Sequence, residues 1–311
     1  MPSPFYYGGQ ALIEGVLIRG RKCATIALRN PDGTLQSTEH PLRPFFSGPL
    51  RRIPIIRGVI VLLETLELGM RALLFSAEVA EGDKNVQLQG QKIAGPMIVP
   101  ILIAIVLFLV VPIVLVGILD STINWDGVRV ARIHFSQNVL INVSEGIVRL
   151  GVFIAYLKLI SFSSDVRRVF AYHGAEHKAV SAQEHGDPLE VDQVQKHPTS
   201  HPRCGTAFLL TVMLVSIIVF SFLGNPPIFL RMLSRLALLP IIAGISYEII
   251  RLNASYGKNI LTWWIMAPSL ALQRMTTRQP DDEQVEVAIC ALKAAIEKDG
   301  EVTEETVGAT N

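Results

Sequence analysis

Residues 94–119, AGPMIVPILIAIVLFLVVPIVLVGIL, run for 26 positions without a charge. A helix needs roughly 20 apolar residues to cross the hydrocarbon core of a bilayer, so this stretch commits the chain to a second solvent. The rest of the composition agrees. Half of the residues are hydrophobic and 18% are charged, where a soluble domain carries about a quarter. Pro100 and Pro112 interrupt the stretch. They predict kinks, which a membrane tolerates when neighbouring groups take up the freed carbonyls.

Three further spans are expected. Residues 206–223 are uncharged, 232–252 carry Arg235, Glu248 and Arg251, and 139–162 carry Glu145, Arg149 and Lys158. Glu145 and Arg149 stand four apart and predict a mutually neutralising pair. Ile260–Leu272 is too brief to span, and its Trp263 and Trp264 suit a membrane interface. The predicted fold class is therefore mainly α: a polytopic membrane protein with about four transmembrane helices, a small N-terminal β element and a cytoplasmic metal-motif loop.

Lys and Arg orient it. Eleven precede Ala94 and five fall in 164–205, whereas 120–138 holds two and 224–231 holds one. The basic side is cytoplasmic, so both termini and the 164–205 loop are expected there. Residues 1–10 have neither a basic n-region nor an apolar h-region, so insertion through the internal spans is expected. Three widely spaced cysteines, Cys23, Cys204 and Cys290, predict reduced thiols rather than a disulfide framework.

The chain divides into 1–52, a cytoplasmic β element; 53–93, a striped apolar helix and polar loop; 94–163, two spans; 164–205, a cytoplasmic His/Glu/Cys segment; 206–252, two spans; and 253–311, an interfacial segment and helical tail. In the first, CATIALRN and TLQSTEH flank Pro31-Asp32-Gly33, a turn signal with Gly free to take positive φ. In 53–80, Arg57, Glu64, Glu67, Arg71 and Glu78 form one narrow polar stripe on an otherwise apolar helix. Such a helix lies in the interface with its stripe to water, or is buried with its stripe towards a polar cavity. In the tail, Val285, Ala288, Ile289, Leu292 and Ile296 share one helical face, and so short a helix must dock to be stable.

The chemistry is concentrated at HGAEHK, residues 173–178. Ser163-Ser164-Asp165 is an N-cap signal, and a helix over 166–184 ending near Gly186 places His173 and His177 on one face. The string fits H-x-x-E-H, in which two His hold zinc and the Glu works on the bound water. His173 and His177 are thus candidate ligands and Glu176 the candidate general base. Gly174 costs about 1 kcal/mol against Ala within a helix, which points to a close approach by backbone or ligand. Downstream, KHPTSHPRCG holds His197, His201 and Cys204, and the two X-Pro steps make it a loop. His201 and Cys204 could complete the site. Glu248, His197 and Glu184 are additional candidates, Glu248 having pairing with Arg251 as its plainer explanation. Four protein ligands would make a structural knot; three plus water would make a catalytic site.

GGQALIEGVLIRG, SAEVA, YHGAEHK, HPRCGT, GISYEIIR and TTRQPDDEQVEVAI together resemble the YqhQ-like family of bacterial membrane proteins, over about Gly8 to Leu292. Leu17-Ile18 stands where that family commonly has methionines. The resemblance implies a bacterial inner-membrane location and a predicted metal-dependent enzyme. It aligns His173, Glu176, His177, His201, Cys204 and Glu248 with the family's recurring polar positions. Two functions follow. One is a divalent-metal hydrolase, zinc by its ligand set, acting at the cytoplasmic face on a peptide or lipid-linked substrate. The other is a non-enzymatic scaffold or assembly factor for a membrane client, with a structural metal or polar network. The bilayer is the one partner the sequence names; substrate and oligomeric state are open. A net charge of +1 without a basic-aromatic pattern argues against nucleic acid.

Overall fold

The computed structural model describes residues 6–308 except 22, 44–47, 83–92, 121–128, 131–132, 135–136, 225 and 256–259; side chains at 49, 94, 129–134, 253–266 and 301–308 are not described. The polar loop expected after residue 80 and the side chains of Trp263 and Trp264 fall outside this set.

The N-terminal element is a four-stranded antiparallel meander, β1 Gly8–Leu12, β2 Gly15–Arg19, β3 Cys23–Arg29 and β4 Leu35–Pro41, in sequential order. The Pro31-Asp32-Gly33 turn forms as expected. Gly33 has φ 85, and Asp32 Oδ1 accepts the Thr34 amide at 3.0 Å. The first hairpin was not legible: GGQALIEGVLIRG folds at Ile13-Glu14, with Glu14 at φ 53, an uncommon conformation for a non-glycine residue. Its carbonyl accepts Arg29 N–H at 2.8 Å, and its carboxylate receives Arg168 and the Tyr172 hydroxyl.

Both faces of this sheet are covered. Leu17, Ala24, Ile26 and Leu28 pack on helix α1 (Ile56–Ala80) through Leu68, Ala72, Phe75 and Val79. Val16, Ile18 and Ala27 pack on α5 (Ser164–His185) and α10 (Asp282–Gly308). Double burial explains why β2 and β3 read as apolar runs without polar alternation. Thr25 is the exception, donating to the Ala291 carbonyl of α10 at 2.7 Å. The tail thus docks by the face expected, with Val285, Ala288 and Leu292 fully buried.

The stripe on α1 faces inward and meets opposite charges. Glu64 receives Arg19 at 3.0 Å and Arg51 at 3.1 Å; Glu67 receives Arg71 at 3.2 Å and Arg43 at 2.7 Å. Arg57 pairs with Glu248. The stripe-to-water reading is therefore corrected for these four residues; Glu78 stays exposed. Leu63 and Leu66, on the other side, are exposed. The helix is inside out relative to a soluble amphipathic one.

The membrane-type helices follow. α2 (Ala94–Ile105), a π-helical segment (Val106–Val110) and α3 (Val111–Asp120) make one continuous rod. The other members are α4 (Gln137–Ile160), α7 (Gly205–Ser221), α8 (Ile228–Ser255) and α9 (Ile260–Thr276). Two short strands, β5 (Arg129–Val130) and β6 (Ile133–His134), join α3 to α4. A single-turn α6 (Val191–Val194) follows α5. Among the described residues, three helices are long and apolar enough to cross a membrane: Gly95–Asp120, Gln137–Ile160 and Ile228–Leu252. The expected fourth, α7, is apolar but has 17 residues. Their outward faces, such as Ile98, Ile147, Ile218 and Leu233, are exposed and apolar, as lipid contact demands. α8 crosses α1 where Gly58 and Gly244 let the backbones meet. A Cβ on Gly58 would lie 3.0 Å from Gly244 Cα, and one on Gly244 would lie 2.6 Å from the Ile55 carbonyl.

The expected Glu145–Arg149 pair is not made. Arg149 instead donates from Nε to the Phe108 carbonyl at 2.8 Å. That carbonyl lies four residues before Pro112, which has no N–H to give it. Fully buried Glu145 receives Arg231 at 3.0 Å and Arg235 at 3.2 Å, both from α8. Arg235 also donates to Asn142, and its guanidinium lies 4.6 Å from the Phe220 ring centroid. Geometry decides the pairing, because α8 brings two cations onto the face of α4 that Glu145 occupies. Glu145→Gln should destabilise the bundle by about 3–5 kcal/mol by leaving two guanidinium groups without their carboxylate. Thermal unfolding in detergent should show this as a lowered melting temperature, partly restored by adding Arg235→Met. A single variant that melts with the wild type would remove the ion pair from this account.

Candidate metal centre

The HGAEHK motif sits on α5, which starts after Ser163 and ends at Gly186 in the left-handed region, φ 76. Both ends match expectation, except that the Ser163 side chain makes no capping bond. His173 and His177 lie on one face, with ring centroids 4.4 Å apart.

Each ring is held by a main-chain carbonyl from elsewhere in the chain. His173 Nδ1 lies 2.8 Å from the Thr276 carbonyl, and His177 Nδ1 lies 2.6 Å from that of Thr199. A carbonyl only accepts, so both Nδ1 atoms carry the proton. In the neutral ring Nε2 is then a free lone pair. This is how metal-ligating histidines are oriented. His173 Nε2 approaches Cys204 Sγ at 3.2 Å. His177 Nε2 is buried without a hydrogen-bond partner. Cys204 caps the N-terminus of α7, its sulfur accepting the Thr206 amide at 3.4 Å. The ligand atoms of His173, His177 and Cys204 all lie within 4.8 Å of one another. In a tetrahedral zinc site they would stand about 3.5 Å apart.

Glu176 is 5% exposed, and its Oε2 lies 3.6 Å from His177 Nε2. It is held beside the ligand atoms by β1, since a Cβ on Gly9 would come within 3.0 Å of Glu176 Cγ.

His201 is close but turned away. Its ring centroid is 5.8 Å from that of His177. Its Nδ1 accepts the Arg203 amide at 3.4 Å, so Nε2 carries the proton and lies 3.2 Å from Glu184 Oε2. This is the opposite tautomer, with no nitrogen free for a metal. His201 and Glu184, expected with the ligands, form instead an adjoining pair completed by Arg203. Burial pushes the Glu184 carboxyl up, but the hydrogen bond from His201 and the charge and hydrogen bond of Arg203 outweigh it and hold it below the usual carboxylate range. His197 lies in a separate cluster, Nε2 2.9 Å from Asp187 and Nδ1 3.3 Å from the Ser181 hydroxyl. Glu248 is distant in role: it receives Arg57 and the Ile55 amide at 3.1 Å, with the Arg251 charge acting on it as well.

Several supports were missed in the sequence. Lys178, inside the motif, is buried and donates to the carbonyls of Gln195 at 2.8 Å and His197 at 2.6 Å; burial pushes its ammonium down. Gln273, fully buried, grips the His201 main chain at N (2.8 Å) and O (2.9 Å). Thr199 and Thr276 act through carbonyls, which no residue type marks. The one available signal was Gly174. A Cβ there would meet the Arg278 carbonyl at 2.2 Å and Thr199 Cγ2 at 3.3 Å, so glycine lets both carbonyl-bearing segments close over α5.

Comparison with known proteins now bears on the whole chain. Residues 53–298 match the family described as "Protein of unknown function (DUF1385)". The chain belongs to this family. It is also 31% identical over 307 residues to "Uncharacterized protein YqhQ" of Bacillus subtilis (strain 168), covering 92% of this chain and 91% of that protein. No solved structure matches. The family match begins at the residues that lead into α1 and runs into α10, so it contains all three ligand-type residues and Glu176. Gly174→Ala should force α5 away from the 276–282 segment and cost about 1–3 kcal/mol. The check is the melting temperature of the full-length protein; an unchanged value would mean the close approach is not needed.

Proposed function

We propose that this protein is a membrane-bound, zinc-dependent hydrolase, with His173, His177 and Cys204 as metal ligands and Glu176 as general base. The observation that carries this reading is the donor set itself: two Nε2 lone pairs and one thiol converge, and the buried Nε2 of His177 makes no hydrogen bond, with Glu176 Oε2 at 3.6 Å beside it. Three protein ligands leave one coordination position for water, the arrangement of catalytic rather than structural zinc. Zinc bound there supplies a Lewis acid and an acidified water. Glu176 Oε2 takes the proton of the attacking water and returns it to the leaving group as the scissile bond breaks. Thr276 and Thr199 keep both imidazoles in the ligating tautomer. The His201–Glu184–Arg203 group braces the loop that carries Cys204.

The reading extends to topology. α7, with its 17 residues, serves as a fourth, short crossing. Both termini and the centre then lie on the cytoplasmic side of a bacterial inner membrane. Substrates reaching such a centre are membrane-associated, of peptide or lipid-linked type. A non-enzymatic scaffold is the second reading, favoured by the direct 3.2 Å His173–Cys204 contact, which could serve as a polar lock.

The test is metal content by elemental mass spectrometry beside complementation of a bacterial strain lacking the protein. Wild type should carry near-stoichiometric zinc, lost in His173→Ala and His177→Ala. Glu176→Gln should keep the metal and fail to complement. A metal-loaded Glu176→Gln protein that complements fully sinks the hydrolase, and wild type without metal leaves the scaffold.

A further inference from the structure

Away from the metal centre, an open cleft of about 450 Å³ is lined by Gly48, Arg51, Arg52, Arg57, Tyr247 and Arg251. Four of its six lining residues are arginines, and none is a carboxylate. They come from three places in the chain: the 3-10 turn Pro49–Arg52, the start of α1 and the end of α8. Folding has gathered this charge, which is dispersed in the sequence.

The surroundings hold the arginines in place. Arg51 donates to Glu64 at 3.1 Å, and Arg57 is fixed by Glu248. Ile55 stands beside the cleft at φ 67, a conformation a β-branched residue adopts only when its surroundings compel it. Its amide donates to Glu248 at 3.1 Å.

Position decides what such a cleft receives. In the sequence the apolar run of this helix closes with Arg251-Leu252 and polar Asn253 follows, so the cleft lies at the level where a bilayer turns from acyl chain to headgroup. Each arginine also has an exposed apolar neighbour in the chain: Leu50, Ile53, Ile56 and Leu252 are 52%, 44%, 41% and 53% exposed. Cationic forks beside exposed apolar side chains, at the end of a span, match a phosphate carrying acyl chains. A soluble phosphate would have no use for the apolar part.

We propose that this cleft is a binding site for the phosphate headgroup of an anionic phospholipid, with the guanidinium groups on the phosphate oxygens and the flanking apolar residues on the acyl chains. The site lies at the same end of the bundle as the metal centre. α7 starts at Cys204 and runs antiparallel to α8, and α1 links α8 to the sheet beneath α5. A lipid held there fixes the height of the whole cytoplasmic-type cap on the membrane.

The experiment uses the full-length protein in nanodiscs of phosphatidylcholine with or without phosphatidylglycerol, reading melting temperature and bound lipid by native mass spectrometry. Wild type should be stabilised by phosphatidylglycerol and retain it. Arg52→Gln/Arg251→Gln, which leaves the Arg51–Glu64 and Arg57–Glu248 pairs in place, should bind it about thirtyfold more weakly, at roughly one e-fold-and-a-half to two per surface arginine. Arg52→Gln alone, at an exposed position, should show a smaller loss and keeps the test readable if the double variant fails to fold. Equal binding by wild type and variants overturns the proposal. Inorganic phosphate added to phosphatidylcholine discs should have no effect; if it reproduces the stabilisation, the ligand is a soluble phosphate and the lipid assignment falls.

Discussion

Two main-chain carbonyls decide the character of the centre. Those of Thr199 and Thr276 take the Nδ1 protons of His177 and His173 and so leave both Nε2 atoms as lone pairs facing Cys204. Without them the same three side chains would be a hydrogen-bonded cluster of undefined tautomer. With them, the His177 Nε2 is a lone pair buried without a hydrogen bond, Glu176 Oε2 lying 3.6 Å away, which is the feature the proposed metal would answer. His201 is the internal control. A few ångströms away, an amide at its Nδ1 and a carboxylate at its Nε2 produce the opposite tautomer and a bracing role.

Those carbonyls are delivered by segments far apart in the chain, and the architecture exists to bring them together. The sheet made by Gly8–Pro41 is clasped between α1 on one face and α5 and α10 on the other. Thr25 ties the sheet to α10, Asp299 of α10 accepts the Arg21 amide at 3.1 Å, and Glu14 ties the first turn to α5. The two ends of the chain thus lock the helix that bears the motif. The 276–282 segment, passing between α9 and α10, is pulled against Gly174 as part of the same closure.

Lipid imposes the complementary constraint. In the bundle and along α1, apart from exposed groups such as Glu78 and Lys158, charges point inward and apolar side chains outward, and every buried cation must find an acceptor inside. Arg149 finds the carbonyl freed by Pro112; Arg231 and Arg235 find Glu145; Arg57 finds Glu248. These pairings also decide which carboxylates are unavailable for chemistry, and Glu248 is one of them.

Much of this was legible in the chain. Charge-free length marked the membrane-type helices, the Pro-Asp-Gly turn marked the second hairpin, periodicity marked the docking face of the tail, and i,i+4 spacing put His173 and His177 on one face. These are local properties, dictated by a residue and its near neighbours along the chain. What the sequence could not determine were the partners: that Glu145 meets α8 rather than Arg149, that the α1 stripe finds Arg19, Arg43, Arg51 and Glu248, and that Cys204 rather than His201 gathers with the two histidines. Each depends on which segment folding brings within hydrogen-bond reach. Spacing along the chain carries no information on that when the partners are main-chain carbonyls or side chains some 20 to 100 residues away. The sequence by itself determined the ingredients and the solvent; the tertiary structure alone decided the tautomers and the pairs, because both are set by contacts between segments remote in the chain.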